Sequence, residues 1–158
     1  MHASTPQIHA TAHTFAQRLS STRRGARLAR LLAVERLAAW DTSPRVIERA
    51  EHVVAELAAN AALHGRVQGC DFLLALPLDD MAGTLRVAVS DMRGERRPAV
   101  PPERSPDHES GRGLLLVDAL ADCWGTEPFP PSGKTVWALL TQSPPRDRPF
   151  PEVTGPVA

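Results

Sequence analysis

The chain predicts an α+β two-layer sandwich: a mixed, mostly antiparallel sheet covered on one face by about three helices. Two long segments, 23–40 and 44–64, repeat apolar residues at intervals of three and four, as helices with one buried face do. Short runs rich in Leu and Val, at 71–78, 84–90 and 135–141, are bounded by Asp, Gly and Pro, as half-buried strands are. Helices able to cover one face of four or five such strands complete the two layers.

Taken in order, Met1 to Ala10 is polar and reads as a flexible end, and Thr11 to Leu19 alternates loosely enough for a first strand. Arg23 to Trp40 contains no Pro and places Leu28, Leu31, Leu32, Leu37 and Trp40 at helical spacing, so these form its expected core stripe. Asp41-Thr42-Ser43-Pro44 supplies an N-cap and a Pro at the first helical position, where its missing N–H costs nothing. The second helix carries a stripe of Ile47, Ala50, Val54, Leu57, Ala58 and Ala61, and Gly65 is placed to let the chain leave it. Asp71 to Leu78 and Thr84 to Ser90 read as a hairpin joined by Asp79 to Gly83. Residues 92–112 hold four prolines, many charges and no apolar period, which is the composition of a lid over a binding site. Gly111-Arg112-Gly113 then leads into a short helix at 114–121, followed by strands at 123–126 and 135–141. Residues 143–158, with five prolines, read as a disordered tail. The domain therefore spans 11–142.

Composition narrows the function classes. The chain has 158 residues, 42% of them hydrophobic, enough for one domain with its own core. Eighteen basic residues balance eighteen acidic ones, so no field of one sign would draw it to nucleic acid. The apolar runs are far shorter than the ~20 residues that cross a bilayer, and no secretory signal opens the chain, so a cytoplasmic location is expected. Cys70 and Cys123 lack metal or redox spacing and are expected to be small buried hydrophobes. Of the cations, seventeen are Arg and one, Lys134, is Lys, a bias that GC-rich codons produce.

The chemistry-bearing residues begin on the second helix. Glu56, Asn60 and His64 stand at i, i+4 and i+8, hence on one stripe. A carboxylate, an amide oxygen and an imidazole can activate a nucleophile and hold a hard cation, although such a stripe also serves as a plain solvated face. Asp91 ends a strand just before Met92-Arg93-Gly94, from where a carboxylate can accept from an exocyclic amine. Gly111-Arg112-Gly113 before a helix can bring backbone N–H groups to a phosphate. The order of these features is more telling than any one of them.

That order resembles the ATP-binding domains shared by histidine kinases, DNA gyrase, heat-shock chaperones and mismatch-repair proteins. Glu56-Leu57-Ala58-Ala59-Asn60-Ala61-Ala62-Leu63-His64-Gly65, Gly111 to Val117, Trp124-Gly125 and Gly133-Lys134-Thr135-Val136-Trp137 are most similar to the anti-sigma-factor serine/threonine kinases, in the single-domain form abundant in actinomycetes. The likeness covers Arg23 to Leu140. It implies that Glu56 is the general base, that Asn60 is the Mg²⁺ ligand bridging ATP phosphates, and that Asp91, with Gly94 beside it and Thr135 near the same edge, reads adenine. It further implies that Gly111, Arg112, Gly113 and Leu114 meet the phosphates beneath a lid, and that His64 either touches nucleotide or closes the helix end. Arg93 and Glu95 stand where the family's adenine motif has glycines, and Leu63 stands where relatives often have a basic residue.

The function so implied is an ATP- and Mg²⁺-binding anti-sigma regulatory factor that phosphorylates an anti-anti-sigma partner and so frees or captures a sigma factor; a homodimer is also expected. The alternative is a catalytically silent regulator of the same fold that sequesters its partner with ATP or with no nucleotide. A detached histidine-kinase catalytic domain fits less well, because no helix pair with a phosphoacceptor His precedes the domain.

Overall fold

The computed structural model describes residues 12–63, 70–92 and 109–141. The expected N-terminal end, most of the lid and the Pro-rich tail lie outside the described residues. The elements run β1 (Ala12–His13), β2 (Ala16–Ser20), α1 (Arg23–Ala39), α2 (Pro44–Leu63), β3 (Asp71–Ala75), β4 (Leu78–Asp79), β5 (Thr84–Asp91), α3 (Glu109–Leu120), β6 (Cys123–Phe129) and β7 (Gly133–Thr141).

Every pairing among these strands is antiparallel. β3 and β4 keep one register along β5, with Ala75 opposite Ala88 and Leu78 opposite Leu85, and the Arg86 N–H donates to the Pro77 carbonyl between them. β1 and β2 continue each other in the same way, bridged by the Leu76 N–H donating to Phe15. The seven segments are thus five ribbons, in the order β1/β2, β3/β4, β5, β7, β6. The single first strand expected at 11–19 is one ribbon broken at Thr14 and Phe15. At the β4–β5 turn, Asp79 Oδ1 accepts from the N–H groups of Met81 and Ala82, and Gly83 takes a positive φ of 63°.

All three helices cover one sheet face: α2 packs on β3, β5 and β7, flanked by α1 and α3. The covered face carries Phe72, Leu74, Leu85, Val87, Val89, Val136, Ala138 and Leu140, all in the buried core. Each large side chain there contributes about 1.5–3 kcal/mol by leaving water. From α2 come Val46, Ala50, Val53, Val54, Leu57, Ala58 and Ala61.

α1 departs from its expected stripe. Leu32, Leu37 and Trp40 face the core as expected, but the other buried residues are Gly25, Ala29 and Ala33, while Leu28 and Leu31 are 44% and 54% exposed. The reason is close approach: a Cβ on Gly25 would overlap the Ser20 carbonyl oxygen at the end of β2. Thr22 caps the helix there, its Oγ1 accepting from the Gly25 N–H at 3.0 Å. At the other end the Thr42 N–H donates to Leu37 and the Asp41 N–H to Ala38, with Asp41 at φ 55°, a left-handed residue that turns the chain into α2. Cys123 is exposed on β6 and Cys70 is half-buried, so neither is the core hydrophobe expected of it. β6 is an edge strand, and Cys123 shares the uncovered face with its partner Leu139.

Candidate functional site

α2 positions the first part of the site. Glu56 and Asn60 lie one turn apart, half-buried, beside the buried row of Leu57, Ala58 and Ala61. α3 lies against this stripe at Gly113, where a Cβ would overlap Glu56 Oε2 and stand 3.2 Å from the carboxyl carbon. Only a residue without a side chain lets the Glu56 carboxylate lie against the α3 backbone. Leu114 and Val117, both buried, hold α3 in that place.

The Gly111-Arg112-Gly113 segment is not a loop ahead of the helix as expected: α3 begins at Glu109 and contains it. Gly111 thus falls in the first turn, whose N–H groups at 109–111 have no partner within the helix, whereas helical bonding begins at the Arg112 N–H and includes that of Gly113. The amides available to an anion shift toward the amino end by this correction.

The second part lies at the ends of β5 and β7. Asp91 pairs across the ladder with Lys134, and Ser90 with Thr135. Side chains alternate along a strand, and Leu85, Val87 and Val89 point to the helices, so Asp91 and Lys134 face the helix layer as well. Both are buried, with 4% and 8% exposure, and Lys134 Nζ lies 3.6 Å from Asp91 Oδ2. Thr135 lies on the opposite face, where its hydroxyl is 2.6 Å from Ser90 Oγ. The structure brings Asp91 together with Lys134 and does not bring the Thr135 hydroxyl to Asp91. Gly133 allows the rung to close, since a Cβ there would overlap the Asp91 carbonyl oxygen. His64 and Gly94 lie outside the described residues.

Two residues beside the site have no role assigned by the motifs. Lys134 lies within the quoted Gly133 to Trp137 motif and stands out as the only lysine of the chain, a signal of composition rather than of spacing. Arg49, on α2, donates from Nε and Nη2 to the Leu120 carbonyl at 3.0 and 2.6 Å and from Nη1 to the Thr141 carbonyl at 3.2 Å. Its Nη2 also lies 3.5 Å from Asp122 Oδ2, which accepts from the Thr141 N–H and hydroxyl. This cluster ties the site-bearing helix to the end of α3 and the end of β7. Nothing in its spacing announces it, since its partners lie 71 and 92 residues away.

An open antiparallel sheet under three helices, with a carboxylate and an amide on the central helix and a buried carboxylate at the end of a central strand, defines a class of nucleotide-binding α+β sandwich. The family model for the histidine kinase-like ATPase domain matches residues 19–138, and the chain belongs to that family. No curated protein matches the chain. A crystal structure of the RsbU and RsbW domains of Rv1364c from Mycobacterium tuberculosis superposes with a TM-score of 0.61 at 21% identity, over 80% of this chain and 32% of that one. The present chain thus spans about a third of that protein. The crystal structure of the SiaB–SiaC complex from Pseudomonas aeruginosa matches with a TM-score of 0.56 at 11% identity, over 80% of this chain and 88% of that one. At these identities the two likenesses establish the fold. No helix among the described residues is long and apolar enough to cross a membrane.

An ATPase domain implies nucleotide binding, and the residues present fit one. The Asn60 amide supplies a hard oxygen, and Mg²⁺ takes one or two protein ligands when phosphates complete its shell. Among the described residues there is no cluster of three His, Cys, Asp or Glu that could hold a metal alone. Asp91 offers a buried acceptor to an amine, and the bare Cα of Gly113 leaves backbone rather than side chain beside Glu56.

Proposed function

We propose that the chain is an ATP- and Mg²⁺-binding regulator of the anti-sigma type, acting as a protein serine/threonine kinase on an anti-anti-sigma partner. The observation that carries this reading is the contact of Glu56 with Gly113, which sets a carboxylate against the helix that contains the Gly-Arg-Gly segment. Bound Mg²⁺–ATP would supply the phosphoryl group. Glu56 takes the proton of the attacking Ser or Thr hydroxyl, as phosphoryl transfer to an alcohol requires. The Asn60 amide oxygen would hold the cation at the phosphates, and the amides of 109–111 with the positive end of α3 would receive negative charge. Asp91 accepts from the adenine amine, Gly94 and Leu114 border the nucleotide, and His64, four residues after Asn60 in the sequence, is a further nucleotide contact.

The two structural relatives favour a protein partner, since one is solved as a complex with SiaC and the other beside an RsbU domain. The buried ion pair of Asp91 with Lys134 supports a second reading, a regulator of the same fold that binds its partner without transfer. One experiment separates them. Phosphate transfer to co-expressed anti-anti-sigma candidates is followed with wild-type protein and with Glu56→Ala, alongside a calorimetric titration of ATP. The kinase reading expects transfer to fall at least about a hundredfold in the variant with ATP affinity retained; equal transfer by both proteins removes Glu56 from that role, and no transfer by either, with the partner held regardless of ATP, supports the silent regulator.

A further inference from the structure

We infer that Arg49 is a positioning residue of the site: by holding the carboxyl end of α3 to α2 it fixes the register at which the two helices meet, and so keeps Gly113 against Glu56. The inference rests on the kinase reading above and adds to it the residue that keeps the proposed base in place from about 10 Å away, two helical turns back along α2.

The geometry is a ladder of two rungs. Glu56 meets α3 at Gly113, and Arg49 meets it at Leu120. Position rises along α2 as it falls along α3, so the helices run antiparallel, and the rungs are seven residues apart on both. Seven residues advance a helix by two turns with a drift of only about 20°, which puts both rungs on one seam. Val53 of α2 and Val117 of α3 are fully buried in the span between them. A slip of one residue would carry α3 about 1.5 Å along the seam and turn it by about 100°, taking the bare Cα of Gly113 away from the carboxylate.

Apolar packing does not fix that register by itself, because burial is non-directional, whereas hydrogen bonds weaken steeply when bent. Arg49 supplies the directional part. Its Nε and Nη2 donate to the Leu120 carbonyl, which stands among the last carbonyls of α3 and has no partner in the helix. The guanidinium charge also sits at the negative end of the α3 dipole. Nη1 donates to the Thr141 carbonyl, so the planar fork refers the end of α3 to the sheet as well as to α2. Asp122 strengthens that reference, its N–H donating to Leu139 and its Oδ2 accepting from Thr141. The other tie of α3, Trp124 Nε1 donating to Asp118 Oδ1 at 2.9 Å, leads to the edge strand β6 and does not reach α2.

The test reads the contact first without nucleotide. Glu56→Gln removes the carboxylate charge beside the Gly113 amide, so in ¹⁵N-glycine-labelled protein it is expected to move the Gly113 signal, which Gly113→Ala identifies. With Arg49→Met in place, the same change is expected to move that signal by less than about half as much, as coupled positions do. Trp124→Phe, which cuts the other tie, is expected to leave the response whole. Arg49→Lys, which keeps the charge without the fork, serves if the first variant fails to fold, and its response is also expected to shrink. An undiminished response in either Arg49 variant overturns the inference, as does an equal loss in Trp124→Phe. Phosphate transfer at saturating ATP, per folded molecule, is then expected to fall at least about tenfold in Arg49→Met, and by no more than about twofold when the same change is made in Gly113→Ala, where the contact is already lost. A tenfold loss in both backgrounds overturns the inference, because Arg49 would then act elsewhere. Absence of transfer by wild-type protein removes the kinase reading instead, and the glycine signal still decides the register.

Discussion

Helices α1 and α2 lie side by side and have similar lengths, 17 and 20 residues, yet they meet the sheet on opposite terms. α1 buries Gly25, Ala29, Ala33 and Leu37 and shows Leu28 and Leu31 to solvent; α2 buries Val and Leu and carries Arg49, Glu56 and Asn60 beside its buried row. Each also takes part in a glycine contact, and the two contacts differ in kind. At Gly25 backbone meets backbone, since the obstacle to a side chain is the Ser20 carbonyl. At Gly113 backbone meets the end of a flexible carboxylate, Glu56. The first contact is a condition of folding, and the second, on the proposed kinase reading, is a condition of the chemistry.

Substitutions can break that distinction. Gly25→Ala is expected to cost the most stability, about 3 kcal/mol, because neither strand nor helix can yield without losing the Thr22 cap; thermal unfolding measures it, and a loss below about 1 kcal/mol would show that the α1 approach is soft. Arg49→Met is expected to cost about 2–3 kcal/mol by orphaning the Leu120 and Thr141 carbonyls and leaving Asp122 without its cation, read from denaturant midpoints at constant slope.

Gly113→Ala separates the helices most directly. The Glu56 side chain can move aside and Ala gains about 1 kcal/mol of helix propensity over Gly, so stability is expected to change by less than about 1 kcal/mol. Phosphate transfer should nevertheless fall by about a hundredfold, because a displacement on the order of 1 Å in a catalytic carboxylate has that effect. Transfer at the wild-type rate would dissociate the Glu56–Gly113 contact from function. The smallest effect is expected for Leu28→Gln with Leu31→Gln, within about 0.5 kcal/mol per site; a larger loss in a melt would mean that this face is covered in solution.

Much of this architecture was legible in the residues. Pro44 after Ser43 marked the start of α2, and the spacing of Ala50, Val54, Leu57 and Ala61 matched the face that is buried. The periodicity of α1 gives its length and the inward Leu32, Leu37 and Trp40, but it places Leu28 and Leu31 inward too, because it weighs large apolar residues whereas close backbone approach selects Gly25, Ala29 and Ala33. The start of α3 was missed by five residues, since two glycines at 111 and 113 read as loop when helix packing against Glu56 is what demands one of them. Within the site, the Glu56–Asn60 stripe follows from spacing alone. The Asp91–Lys134 rung does not, because register between strands 43 residues apart is a tertiary fact that no local pattern encodes.

The burial of the only lysine also sets the chemistry of the exterior. Apart from six histidines, every other basic side chain is a guanidinium, which keeps its charge far above neutral pH and is not a substrate for lysine acetylation. The arginine charge of the surface is therefore insensitive to alkaline titration and to lysine-directed acylation, and an amine-directed reagent finds a side-chain amine only at Lys134, which is buried. Any such reagent that does label this protein at a side chain reports on the opening of the site.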